Sequence, residues 1–259
     1  MTLSVGTPPL AFPAIVDTGS DLTWAQCAPC TACFAQPTSL YDPAASSTST
    51  LPCASPLCQA LPTSFRRACN ATATSCAYDY RYAVGFTAGY LAADTLAVGD
   101  AAPFTFPGVA FGCSTANGGD MYGASGIVGL GCGALLLVSQ LGVGRFSYCL
   151  RSGASPILFG ALAANVTSGG AQPTPLLQNP VPGRRAPYYY VNLTGPTVRD
   201  GEGGVRVAVE GGRRTTSTSA SRRTVRLRPL LRGWCGHRAE AGAAVRGRRG
   251  VRRAAAELL

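Results

Sequence analysis

One carboxylate near the start of the chain stands where a reagent would. In Ala14-Ile-Val-Asp17-Thr-Gly-Ser20 an apolar run delivers an aspartate into a tight turn, with a hydroxyl on each side of a glycine. Asx turns at strand ends use the same residue types for structural reasons, so the motif by itself favours a structural role. Trp24 and Tyr82, taken alone, read as an ordinary cross-strand aromatic pair.

The elements that must position Asp17 are strands. Leu3 to Val5, a Gly6-Thr-Pro-Pro9 turn and Phe12 to Val16 read as a hairpin running into the aspartate. Tyr78-Asp-Tyr-Arg-Tyr82 alternates with period two and is expected to pair with Gly89 to Val98 across a loop from Ala83 to Ala88, whose tip could bend over a cleft. Val109 to Cys113, Phe146 to Leu150, Pro156 to Phe159 and Tyr188 to Leu193 add short strands, and Ala134 to Leu141 reads as a helix. No helix-rich βα alternation is visible, so the class is mainly β. Gly126 to Gly144 is uncharged for nineteen residues, but its six glycines argue for strand, turn and short helix rather than a membrane span.

From Cys27 to Cys76 the chain is loop-like, with seven cysteines and repeated prolines, so cross-links must stand in for a core there. Cys27, Cys30 and Cys33, at two-residue gaps, could begin a zinc site with Cys53 or Cys58. The spacing lacks two separated pairs and the single histidine, His237, is far along the chain, so disulfides are the better reading and no metal or other cofactor is expected. Ten of the eleven cysteines in the first 149 residues favour an oxidising, exported setting. The glycosylation sequons at Asn70, Asn165 and Asn192 point the same way. Met1 to Val5 shows no basic segment followed by an apolar run, so no signal peptide is visible within this chain.

The formal charge of +10 would suggest a nucleic-acid or membrane partner if it were spread over the molecule. Residues 1–198 balance seven arginines with seven aspartates, and residues 199–259 hold fifteen arginines against five acids. After Val198 phenylalanine and tyrosine vanish and no periodicity survives, so this tail is expected to be disordered. Arg246-Gly-Arg-Arg-Gly-Val-Arg-Arg253 resembles phosphate-neutralising segments, yet no aromatic residue stands beside it for base stacking. Neither nucleic acid nor membrane is expected as a partner. A change of reading frame near Val198 gives the same composition without a function.

Val5-Gly-Thr-Pro-Pro9, Ile15-Val-Asp-Thr-Gly-Ser-Asp-Leu-Thr-Trp24 and Gln26-Cys-Ala-Pro-Cys-Thr-Ala-Cys33 are followed by Tyr41-Asp-Pro43, Leu51-Pro-Cys53, Gly89-Tyr-Leu-Ala92, Phe111-Gly-Cys113, Gly126-Ile-Val-Gly-Leu-Gly131, Ser139-Gln-Leu141 and Phe146-Ser-Tyr-Cys-Leu150. In these residues and their order the chain resembles the pepsin-like aspartic proteases, and within them the nepenthesin-type plant enzymes, over residues 2–198. The resemblance implies a pepsin-like N-terminal lobe over residues 1–180 with a cysteine-rich insert at 27–76. The start of a second lobe is expected over 181–198, and the arginine-rich tail over 199–259.

The resemblance also implies roles. Asp17 is expected as the first catalytic aspartate, with Thr18, Gly19 and Ser20 holding its loop. Tyr82 and Gly85 are expected in a flap, with Trp24 as the partner of Tyr82, and Ala83 replaces the usual flap glycine. Disulfides are expected between Cys27 and Cys30, Cys33 and Cys113, Cys53 and Cys76, and Cys58 and Cys69, leaving Cys132, Cys149 and Cys235; the partner of Cys149 is expected in the second lobe, so that Cys132 and Cys149 stand free in this chain. The implied activity is endopeptidase cleavage of peptide or protein substrates at acidic pH, in a secreted, extracellular or vacuolar setting.

That chemistry needs two carboxylates close enough to share a proton: the ionised one activates water and the protonated one polarises the scissile carbonyl. No second Asp-Thr-Gly or Asp-Ser-Gly follows, and Asp200, Glu202, Glu210, Glu240 and Glu257 stand in unrelated contexts. The chain alone is therefore expected to be inactive, needing a second lobe or, less readily, a second copy of itself. The alternative is a non-catalytic pseudoprotease that binds or inhibits another protein.

Overall fold

The computed structural model describes residues 1–62, 65, 69, 75–99, 103–149, 155–164, 176, 188–193, 197–200, 203–206, 213–217 and 239–240. Strands β1 (Thr2–Val5), β2 (Leu10–Asp17), β3 (Trp24–Gln26), β4 (Ser49–Thr50), β5 (Ala77–Tyr82), β6 (Gly85–Val98), β7 (Phe104–Gly118) and β8 (Gly126–Gly129) form one sheet. Its order is β1-β2-β8-β3-β7-β6-β4 with β5 also on β6, and β6 returns to pair with β1, so the sheet closes on itself. The β2–β8 and β3–β7 pairs are parallel. Helices α1 (Pro56–Ala60), α2 (Leu137–Gln140) and α3 (Ala161–Ala164) are about one turn each. The class is mainly β.

Strand β2 is apolar on both sides because both of its faces are covered, as befits a strand with a parallel neighbour. Phe12 and Ala14 enter a core with Leu3, Val5, Leu96 and Val128. Ile15 packs on a second core formed by Leu22, Trp24, Tyr78, Tyr80, Leu91 and Ile127. Asp17, two residues beyond Ile15, closes the strand on that second side.

The first hairpin follows the expected pattern. The second differs: β5 and β6 are joined by Ala83 and Val84 alone, with Tyr82 opposite Gly85, rather than by a six-residue loop. Phe86 and Thr87 are held in the ladder because they pair with Gly118 and Asn117 of β7 as well. Gly85 has φ +144°, and a Cβ there would collide with the carbonyl of Gly118, so only glycine permits this approach. The expected helix from Ala134 shortens to Leu137–Gln140, since Leu135 and Leu136 are drawn into the cores instead.

The eight cysteines expected in disulfides are all bonded, but in a different pairing: Cys27–Cys113, Cys30–Cys33, Cys53–Cys69 and Cys58–Cys76. The parallel β3–β7 ladder brings Cys27 alongside Cys113, both fully buried, which leaves Cys30 and Cys33 to each other. Cys58 on α1 and Cys76 at the root of β5 are both fully buried, and Cys53 meets Cys69 nearer the surface. A zinc site from Cys27, Cys30 or Cys33 with Cys53 or Cys58 would need thiolates that these bonds consume. Cys132 is free, as expected; Cys149 is disulfide-bonded rather than left without a partner in this chain.

Beyond the main sheet, β9 (Arg145–Tyr148) pairs with β10 (Ile157–Phe159). β11 (Tyr189–Leu193), β12 (Thr197–Asp200), β13 (Gly203–Arg206), β14 (Arg213–Ser217) and β15 (Ala239–Glu240) complete the described strands. Residues Asn70, Asn165, Cys235 and His237, and most of the tail, lie outside the described residues, and Asn192 is described in its backbone alone.

Candidate active site

The loop after β2 is assembled from both directions. On its near side Asp17 Oδ1 accepts from the Gly19 amide at 2.8 Å and Oδ2 accepts from Ser20 Oγ at 2.6 Å. Behind it, strand β8 places Gly129 opposite Asp17, and the amides of Leu130 and Gly131 donate to the carbonyls of Asp17 and Ser20, each at 2.8 Å. A Cβ at Gly129 would overlap the backbone of Asp21, so glycine lets the two segments touch. Asp17, Thr18 and Ser20 are buried or nearly so, at 9%, 9% and 1% exposure, which limits water's competition for the carboxylate.

Tyr82, at the end of β5, reaches this loop. Trp24 Nε1 donates to the Tyr82 hydroxyl at 3.0 Å. An indole nitrogen only donates, so the tyrosine proton is left for another acceptor. Burial, aided by the nearby Tyr80 and Asp17, pushes Tyr82 ionisation well above its ordinary value against the lowering influence of Trp24 and Ser20, so the hydroxyl keeps its proton. Trp24 thus holds Tyr82 near a loop in which Ser20 donates to Asp17. Trp24 and Tyr82 lie on β3 and β5, which do not pair, so they are not a cross-strand couple. Beyond Tyr82 the turn exposes Val84 at 79%.

Two residues of this region carry no marker in the motif. Asp21 accepts from the Gly133 amide at 2.8 Å and from the Cys132 amide, and the Tyr80 hydroxyl meets its backbone. Burial is the main cause that raises its carboxyl to about 6. Tyr189 places its hydroxyl 2.8 Å from the Leu130 carbonyl and 2.6 Å from that of Gly131. Only the position of Asp21 beside Asp17-Thr-Gly-Ser20 could have pointed to it, and for Tyr189 the sequence holds no such signal. Among the described side chains no second carboxylate faces Asp17 in an Asp-Thr-Gly or Asp-Ser-Gly loop.

Residues 1–161 match the family model described as "Xylanase inhibitor N-terminal". The chain is 43% identical over 210 residues to aspartic proteinase nepenthesin-2 of Nepenthes gracilis, covering 76% of this chain and 44% of that protein. It is 45% identical over 209 residues to aspartyl protease 37 of Oryza sativa subsp. japonica, covering 76% and 43%. Among solved structures it is similar to conglutin gamma from lupine seeds, with a TM-score of 0.55 at 20% identity over 80% of this chain and 57% of that one, a likeness of fold alone. The fold and the Asp17 loop together define a lobe of the pepsin-like aspartic protease type. The chain belongs to the nepenthesin-type plant aspartic proteases and spans less than half the length of those relatives.

Proposed function

We propose that this chain is the first lobe of an aspartic-type endopeptidase, with Asp17 supplying one carboxylate of the catalytic pair. The observation that carries the reading is the pair of hydrogen bonds holding Asp17, from Gly19 N and Ser20 Oγ, beneath a Tyr82 hydroxyl oriented by Trp24. A carboxylate so held is fixed in place to take a proton from water attacking a peptide carbonyl. The second carboxylate, protonated, polarises that carbonyl and later protonates the leaving amine. It is supplied from outside these residues, by a second lobe or a second copy of the chain, and each such role is worth about 10²–10⁴ in rate. The substrate is a peptide or unfolded protein lying between Asp17 and the β5–β6 flap, and the setting is acidic and extracellular or vacuolar. No helix among the described residues is long and apolar enough to cross a membrane.

A second reading, a binding or inhibitory module without catalysis, is favoured by the presence of one Asp-Thr-Gly motif only. The test is cleavage of an unfolded protein at about pH 4, between the two steps of a split carboxylate pair. Cleavage that pepstatin blocks and Asp17→Ala abolishes establishes the endopeptidase; pepstatin-insensitive cleavage retained by Asp17→Ala, or none by the chain with a second lobe present, leaves the binding module.

A further inference from the structure

Tyr189 opens β11, more than fifty residues beyond the loop it touches, and its ring is buried at 6% exposure in the first core. Its hydroxyl has one proton, which it shares between the carbonyls of Leu130 and Gly131 and, beside them, the Cys132 sulfur. Each carbonyl belongs to a peptide group whose N–H is engaged on its other side. The Leu130 carbonyl is conjugated with the Gly131 N–H, which donates to the Ser20 carbonyl at 2.8 Å. The Gly131 carbonyl is conjugated with the Cys132 N–H, which donates to the Asp21 carboxylate. A proton donated to a carbonyl draws electron density from its amide and makes that N–H a stronger donor.

We propose that Tyr189 is a positioning residue of the active site: its hydroxyl strengthens, through two peptide groups, the bonds that hold the Ser20 carbonyl and the Asp21 carboxylate, and so fixes the loop presenting Asp17. This rests on the reading of Asp17 as one carboxylate of the catalytic pair. Tyr189 stays a donor throughout the working range, because burial, together with Cys132 and Asp21 nearby, raises its ionisation. The groups facing Asp21 are Asp17, Tyr80, Cys132 and Tyr189. Burial likewise raises Tyr80, and it pushes the Cys132 thiol up to about 11, so neither titrates in the acid range where Asp21 does.

The experiment uses the full chain and Tyr189→Phe, which keeps the ring and removes the proton. Carbon-13 NMR of labelled aspartate, assigned with Asp21→Asn, follows the Asp21 carboxyl, and hydrogen exchange follows the amides of Gly131 and Cys132. Loss of the polarising hydroxyl weakens the Cys132 donor, so the Asp21 midpoint is expected to rise above about 6 and the two amides to exchange about fivefold faster, the factor one neutral hydrogen bond commands. A packing role alone leaves the midpoint where it is, and that result overturns the proposal. Should Tyr189→Phe fail to fold, fluorotyrosine at position 189, a stronger donor, is expected to lower the Asp21 midpoint, and an unmoved midpoint again overturns it. In a preparation that cleaves protein at about pH 4, Tyr189→Phe is expected to lower kcat about fivefold with KM unchanged, and an unchanged kcat breaks the link to Asp17. Absence of cleavage by the wild type with a second lobe present defeats the endopeptidase reading and leaves the Asp21 titration to decide the role of Tyr189.

Discussion

Trp24 Nε1 donates to the hydroxyl of Tyr82 at 3.0 Å, joining β3 to β5 although the two strands do not pair. The bond fixes the tyrosine from the floor of the sheet rather than from the flap turn, where Ala83 stands. Its strength is separable from the aromatic packing. Trp24→Phe removes the donor and part of a ring, and Tyr82→Phe keeps the ring but strands a buried indole N–H.

Tyr82→Phe is expected to cost about 1–3 kcal/mol, the penalty for a buried donor left without a partner. Urea unfolding checks it, as a lower midpoint at unchanged slope. A midpoint equal to that of the wild type would mean the bond contributes nothing to the fold.

Asp21 makes the fold favour acid. Burial lifts its carboxyl from 3.8 to about 6, against hydrogen bonds from Gly133 and Cys132 and with a smaller push from Asp17. The folded state therefore holds this proton more tightly than the unfolded chain does. The stability it adds is complete below the unfolded value of 3.8 and is lost as pH rises through about 6. The swing is of the order of 3 kcal/mol. Asp21→Asn should abolish this component, so that the variant gains on the wild type between about pH 4 and pH 7. Parallel urea titrations of the two proteins at both pH values decide it, and curves that stay parallel refute it.

Asp94 acts in the opposite sense. Its side chain is buried at 4% exposure and accepts from Tyr41 and Ser46 at 2.9 Å, Thr48 at 2.7 Å, Ser47 at 3.1 Å and the Thr95 amide at 2.6 Å, tying the insert to β6. Burial works against its charge, but the bonds from Thr48, Thr95, Ser46 and Tyr41 outweigh it and hold the carboxyl below its ordinary value. Its contribution is present above the unfolded value of 3.8 and lost as pH falls through the lower folded one. Asp94→Ala is expected to cost about 2–4 kcal/mol at neutral pH, several donors losing a charged acceptor, with the deficit shrinking in strong acid. Thermal melts of variant and wild type across that range provide the check; a deficit that does not shrink contradicts it.

Non-reducing peptide mapping should recover Cys27 linked to Cys113 and Cys30 linked to Cys33. The first closes a separation of 86 residues, and a loop of that size is worth about 4–5 kcal/mol in chain entropy. Cys27→Ser with Cys113→Ser is accordingly the most damaging double replacement among the four bonds described. Recovery of Cys27 linked to Cys30 would restore the pairing expected from the sequence.

What could be read in the sequence was what lies close together in it. The hairpin into Asp17 and the alternation that ends in Tyr82 each span a few residues, so residue type and period suffice, and the Gly19 and Ser20 supports follow from a contiguous motif that carries the family resemblance. The disulfide partners were misread because their choice depends on β3 lying parallel to β7, a pairing that no local pattern announces. Asp21 and Tyr189 were passed over for a related reason: the first acquires its role from Gly133, 112 residues away, and the second from carbonyls 58 and 59 residues away. Backbone partners leave no trace in residue type. The long β6–β7 ladder, twelve paired positions with two register shifts, likewise exceeds the short strands its apolar segments suggested, because Gly89, Gly112 and Gly118 lie within it.

The back wall of the Asp17 loop, at Gly129 to Gly133, has a consequence for the newborn chain. Translation at 5–20 residues per second puts roughly 5–20 seconds between the appearance of Asp17 and that of the segment which completes its setting. During that interval the nascent polypeptide shows apolar strands without their partners and a carboxylate without its cradle. A chaperone has its longest opportunity there, and the loop of Asp17 stays without its back wall until almost the whole lobe has emerged.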